Sequence, residues 1–306
     1  MKLLTPVGSR KLFLKADEDR IIGSVSKRIK TSVGWINVRV GGNEGGPAMV
    51  FWPSLMMEGS MWSYQYEHYA SDYRVVLIDS PGVGASDPLR KPVYLEDSAE
   101  IVIAILDALG IDRCIFGGNS WGAMLAAVLP AWYPERLIAS MSINGTASLP
   151  TMLETVQMSA ISGLLYLNAT MPQWWANLAK GAFAGDTAEE TNPEFIEYIN
   201  CVLNEDPKSI HYQLQGILLG RVDRHALLRT IKDVPVLVIA GEEDRQFAVH
   251  IVRKMANAIQ GSKFVVLQET AHLASREQPA LVNAEIDEFL SELKLPVPRQ
   301  LTKDTS

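Results

Sequence analysis

The sequence has little cysteine: 306 residues contain only Cys114 and Cys201. Two isolated thiols cannot form a disulfide framework, and neither stands at a metal-ligand spacing, so no metal is expected and both read as buried apolar fillers. Positive charge is also in deficit. The formal net charge is −7, the sequence pI is near 5.3, and no Lys/Arg cluster of the kind phosphate binding requires is present, which argues against a nucleic-acid partner. Long apolar runs are missing too. Met1-Lys2-Leu3-Leu4 meets Thr5-Pro6 and then charges, too short a run for a signal peptide, and no stretch could span a bilayer, so a cytoplasmic location is expected.

What is present, 47% hydrophobic and 21% charged residues, suits one large core with an insertion. The most informative stretch is Ile115-Phe116-Gly117-Gly118-Asn119-Ser120-Trp121-Gly122-Ala123, an apolar run that passes through Gly118-x-Ser120-x-Gly122 into Met124–Leu129. That pattern predicts strand, turn and helix. A serine on so sharp a turn is held in a strained conformation, glycines two places either side leave room for it, and the helix N-terminus favours a developing oxyanion. A tight Gly-Ser turn without chemistry is the alternative reading of the pentapeptide, and the weaker one.

The remaining chain alternates strands and helices. Ile29–Val33 and Trp35–Val40 read as an antiparallel hairpin joined at Gly34. Ala48–Trp52, Tyr73–Asp79, the strand before Ser120, Leu137–Ile143, Val234–Ala240 and Lys263–Leu267 read as strands, several of them apolar without alternation as strands covered on both faces should be. Helices are expected over Leu95–Leu109, Phe247–Ile259 and Ala280–Leu293. Such alternation means an α/β fold, a mainly parallel central sheet flanked by helices, with ligands at the carboxyl ends of the strands. Between Asn144 and Ile231 the strand pattern stops, and helical stretches near Thr151–Tyr166, Pro172–Phe183, Pro193–Leu203 and Ser209–Leu219 read as an inserted cap. The expected division is an extension over residues 1–27, a core over 28–145 and 232–295, a cap over 146–231, and a flexible tail over 296–306.

A serine hydroxyl needs a general base within reach and a group to orient that base. Of the five histidines, His68, His211, His225 and His250 lie on helices or in the cap, whereas His272 follows the last strand at the edge that holds Ser120. The orienting carboxylate should also leave a strand end. Leu137–Ile143 is followed by Asn144, with no acid from there to Glu154, so Gly241-Glu242-Glu243-Asp244 is the place. A short turn from Gly241 would present Asp244 inward and leave Glu242 and Glu243 facing solvent, although Asp244 could also simply cap the next helix. Two N–H donors are needed for the oxyanion: Trp121, directly after the nucleophile, and Leu55, in the loop after Ala48–Trp52. Met56, Met57, Met61, Trp174 and Trp175 are apolar groups that could line a pocket or merely pack.

With Ser120, Asp244 and His272 in that chain order, the sequence resembles the α/β-hydrolase superfamily from about residue 30 to 294. Asp79-Ser80-Pro81-Gly82-Val83-Gly84-Ala85-Ser86-Asp87 is similar to the family's loop before the helix preceding the serine turn. Gly241-x-x-Asp244 is similar to its acid turn, and Ala271-His272-Leu273 with Glu277-Gln278-Pro279 to its histidine loop. Pro53-Ser54 replaces the usual His-Gly pair and looks like the Asn-Ser-Leu variant of enol-lactone hydrolases. A second likeness, carried by Leu106–Arg113 and Gly118-Asn119-Ser120, is to hydrolases that cleave carbon–carbon bonds in ring-fission products, but their Gly-rich oxyanion loop and a Trp soon after the histidine are absent. The resemblance implies a serine hydrolase of a small hydrophobic ester or lactone, acting through an acyl-enzyme without cofactor. Carbon–carbon hydrolysis is the alternative, and a ligand receptor on the same fold a further one.

Overall fold

A computed structural model describes residues 15–168, 173–185, 187–188, 192, 195–196, 198–199 and 206–297. Eight strands form one sheet in the order β1-β2-β4-β3-β5-β6-β7-β8. β1 (Val25–Thr31) and β2 (Gly34–Gly42) make the hairpin. Its turn is Ser32-Val33, one step before Gly34, because Thr31 pairs with Gly34. β1 therefore starts inside the expected N-terminal extension. β2 runs antiparallel to β4 (Arg74–Ile78). From β4 onward every pairing is parallel, through β3 (Ala48–Trp52), β5 (Cys114–Asn119), β6 (Leu137–Ile143), β7 (Val236–Gly241) and β8 (Lys263–Leu267).

Burial explains the sequence pattern. β3, β5 and β7 are buried at every residue, as continuous apolar runs covered on both faces must be, whereas β1 at the sheet edge exposes most of its side chains. Cys114 sits in the middle of this core, and burial pushes its thiol up to about 12, so it is no thiolate nucleophile. Cys201 lies outside the described residues.

The helices follow their local signals. Leu95–Leu109 begins where the Asp97 carboxylate accepts the Tyr94 N–H and stops at Gly110, whose φ of 64° suits glycine. Between β6 and β7, the helix Met152–Tyr166 starts from a Thr151/Glu154 capping box. A second inserted helix covers Gln173–Phe183, and the expected Pro193–Leu203 helix lies largely outside the described residues. The expected Ser209–Leu219 helix is two pieces, α-helical over Pro207–Gln213 and π-helical over Leu214–Leu219. Among the described residues no helix is long and apolar enough to cross a membrane.

Register then fixes where chemistry can gather. Trp52 lies beside Gly118, Asn119 beside Ile143, Ile143 beside Ile239, and Gly241 beside Leu267. The loops leaving β3, β5, β6, β7 and β8 thus emerge side by side at one edge.

Candidate active site

Ser120 directly follows β5, and its φ of 56° and ψ of −106° lie in a region that side-chain-bearing residues seldom occupy. The flanking glycines are required by close approach: a Cβ on Gly118 would stand 2.2 Å from the Gly122 backbone, and one on Gly122 would stand 2.2 Å from the Trp52 carbonyl oxygen. Any larger residue would push the helix Trp121–Trp132 off the end of β3.

The loops after β7 and β8 meet this turn. His272 Nε2 lies 2.8 Å from Ser120 Oγ, and His272 Nδ1 lies 2.9 and 3.0 Å from the two oxygens of Asp244. A carboxylate accepts only, so Nδ1 carries the proton and Nε2 is left to accept from the serine hydroxyl. All three residues are buried. Asp244 also accepts from the Gln246 and Phe247 N–H groups at 2.7 and 3.0 Å, so its turn-capping role and its contact with His272 coexist on one carboxylate. Glu242 is exposed, but Glu243 is not solvent-facing as expected: it accepts from the Thr187 N–H at 3.1 Å. The other histidines are engaged or remote. His68 meets Asp287, His211 meets Ser162, His225 meets Asp223, and His250 is exposed.

Two asparagines hold the histidine loop. Asn144, at φ 56° after β6, donates to the Ala271 and His272 carbonyls at 2.8 and 2.9 Å and accepts the Gly241 N–H at 2.7 Å. Asn119 donates to the same His272 carbonyl at 2.9 Å. In the sequence Asn144 stood out only as the absence of an acid. Its position at a strand end, one strand over from the serine, was the available signal.

Glu277 lies behind the histidine. Its Oε2 accepts the Ala271 N–H at 2.7 Å, and its Oε1 is buried without a hydrogen-bond partner among the described residues. Burial, reinforced by Glu243 and Asp244 against the pull of the Ala271 N–H, pushes its carboxyl up to about 7. The folded protein therefore keeps this proton to about pH 7, whereas the unfolded chain loses it near the ordinary 4.5. Between those values the folded state binds the extra proton, so stability falls as pH rises, by about 3 kcal/mol across the window, and is level above it. Glu277→Gln retains an acceptor for Ala271 and should remove this slope. Urea denaturation of both proteins at pH 5 and pH 8 checks it, and parallel stability losses would contradict it.

The loop after β3 faces the serine turn. Neither the Leu55 N–H nor the Trp121 N–H donates to a protein acceptor among the described residues, so both are available to an incoming oxygen. Met56, at φ 64°, is fixed by Gln213 of the Pro207–Gln213 helix, which accepts its N–H at 3.1 Å and donates to the Pro81 carbonyl at 2.8 Å. Gln213 therefore ties that helix to both neighbouring loops.

A cavity of about 500 Å³ opens over Ser120 and His272. Its walls include Leu55 and Met56 from the core and Leu178, Ala179, Ala182 and Phe183 from one face of the Gln173–Phe183 helix. Phe183 stacks on the imidazole at 5.8 Å, and Phe247 meets it edge-on at 5.6 Å. The other pocket candidates are elsewhere. Met57 is fully buried, with its sulfur 3.8 Å from the Tyr198 hydroxyl, and Met61 receives the Ser54 N–H on sulfur. Trp174 is half-exposed and does not line the cavity; the Trp175 side chain lies outside the described residues. Among the described residues no cluster of His, Cys, Asp and Glu could hold a metal ion.

The 3-oxoadipate enol-lactonase 1 of Acinetobacter baylyi is 28% identical over 250 residues, covering 80% of this chain and 88% of that protein. A 2-hydroxy-6-oxononadienedioate/2-hydroxy-6-oxononatrienedioate hydrolase from a Pseudomonas species is 26% identical over 302 residues, covering 95% and 100%. The crystal structure of the enol-lactonase from Burkholderia xenovorans matches with a TM-score of 0.79 at 23% identity, over 87% of this chain and all of that one, a likeness of fold. The family profile described as alpha/beta hydrolase fold matches residues 47–279, and the chain, a hydrolase, belongs to that family.

Proposed function

We propose that the protein hydrolyses a carboxylic ester or lactone through an acyl-enzyme on Ser120. The observation that supports this best is the buried run from Asp244 through His272 to Ser120 Oγ, with contacts of 2.9 and 2.8 Å, at the floor of a largely apolar cavity. His272 Nε2 takes the hydroxyl proton as Oγ bonds to the carbonyl carbon, and Asp244 holds the imidazolium that forms. The Leu55 and Trp121 N–H groups receive the oxyanion. As the C–O bond to the leaving group breaks, His272 returns the proton to it; water, deprotonated by the same histidine, then releases the acid and restores Ser120. The helices of residues 146–231 act as a cap on a core of 28–145 and 232–295.

Carbon–carbon hydrolysis is the second reading. It is favoured by similarity, over nearly the whole of both chains, to a protein named as a hydrolase of 2-hydroxy-6-oxononadienedioate and 2-hydroxy-6-oxononatrienedioate. A panel of esters, lactones and ring-fission dienoates assayed with purified protein separates the two. Ester or lactone turnover with inert dienoates is expected; efficient turnover of a dienoate alone would reverse the assignment.

A further inference from the structure

The cavity above Ser120 has one feature that simple ester hydrolysis leaves unexplained. Its apolar wall is broken by Arg221, which follows the π-helical turn Leu214–Leu219, and by Glu154 of the Met152–Tyr166 helix. Arg245 also lines it and donates to the Gly181 carbonyl at 3.3 Å. The Arg221 side chain is only 10% exposed. Its guanidinium carbon lies 5.4 Å over the Phe247 ring, which itself stands 5.6 Å from the His272 imidazole, so the cation is no farther from the base than those two contacts laid end to end.

The protein satisfies this cation poorly. A guanidinium offers five N–H donors, yet among the described residues Arg221 makes one hydrogen bond, from Nε to the Leu218 carbonyl at 3.2 Å, and one ion pair with Glu154 at 3.6 Å, beyond hydrogen-bond length. Glu154 is committed elsewhere, accepting the Thr151 N–H at 2.7 Å. Burial pulls the Arg221 basicity down, with Glu154 only partly opposing it. Withdrawing a cation from water is unfavourable unless well-placed acceptors replace the water. Here the acceptors among the described residues are few, and Arg221 borders the space where substrate would lie. A carboxylate entering that space could accept two parallel N–H bonds from the planar guanidinium, an arrangement stronger than a neutral contact.

We propose that Arg221 is a specificity-determining residue that binds a carboxylate carried on the acyl or ring part of the substrate, so that the protein selects carboxylate-bearing esters or lactones over neutral ones of equal length. This rests on the ester or lactone reading of the site. Glu154 competes for the same guanidinium and tunes the subsite downward.

The test compares monoethyl glutarate with ethyl pentanoate, followed by acid release at constant pH, in the native protein and in Arg221→Gln and Glu154→Gln. Gln at 154 keeps an acceptor for the Thr151 N–H, so the helix cap survives. The native protein is expected to favour the half-ester in kcat/KM by roughly tenfold or more, the discrimination one charge-assisted contact supplies. In Arg221→Gln that ratio should collapse toward unity, mainly through KM for the half-ester, and in Glu154→Gln it should rise. A native ratio near unity, or one that survives Arg221→Gln, overturns the inference, as does an equal loss on both esters, which would mark a purely structural arginine. If neither ester is hydrolysed, the ester reading of the site fails. Calorimetric binding of the two compounds then decides the subsite: half-ester binding that Arg221→Gln abolishes upholds it, and equal binding of both compounds overturns it.

Discussion

Ser120→Ala is expected to lower kcat on an activated ester by roughly 10⁴-fold or more while leaving the melting temperature nearly unchanged. The substitution removes one oxygen, the atom 2.8 Å from His272 Nε2. Alanine meets the same backbone demand as serine at φ 56°, so the turn and the helix Trp121–Trp132 should persist. The loss is large because nucleophile and base act as a unit: without the hydroxyl, the proton that His272 would take is not there to be taken. The remaining turnover would come from water held over the Leu55 and Trp121 donors. Steady-state kinetics and a thermal melt on the same preparation check both halves. Retention of a tenth of native activity by a folded variant would remove Ser120 from the mechanism.

Asp244→Asn should be the next most damaging change, with kcat reduced by roughly 10²- to 10⁴-fold. The asparagine carbonyl can still accept from the Gln246 and Phe247 N–H groups, so the turn after β7 keeps its geometry. Its amide NH₂ then faces His272 Nδ1 and makes that nitrogen an acceptor. The ring proton moves to Nε2, which now donates toward Ser120 Oγ where it had accepted, and the base is lost without any displacement. Glu242→Gln and Glu243→Gln are the controls, since Glu242 is exposed and Glu243 is engaged with Thr187. A control more damaging than Asp244→Asn would move the acid by one or two positions.

The parts of this site that the sequence made legible are those whose signals are local. Gly118-x-Ser120-x-Gly122 dictates its own turn because the glycines meet backbone, and the apolar runs of β3, β5 and β7 advertise strands covered on both faces. Asp244 follows β7 and His272 follows the edge strand β8, so the parallel sheet brings them to one edge. What stayed hidden depends on tertiary placement. Glu277 sits in a short helix with no periodic signal, and its raised carboxyl arises from burial beside Glu243 and Asp244. Phe183, Phe247 and Arg221 come from distant segments and meet only around the imidazole and the cavity. Met57 shows the converse. Its proximity in sequence to Leu55 suggests a pocket residue, yet the tight turn at Met56 sends it into the core.

The central claim is a covalent intermediate on Ser120, and the most direct measurement is the mass of the protein after reaction with a fluorophosphonate, followed by identification of the modified peptide. The account predicts a single adduct on Ser120, formed at a rate that Asp244→Asn depresses along with ester turnover. An adduct on another residue, or none in a preparation that hydrolyses ester, would contradict it.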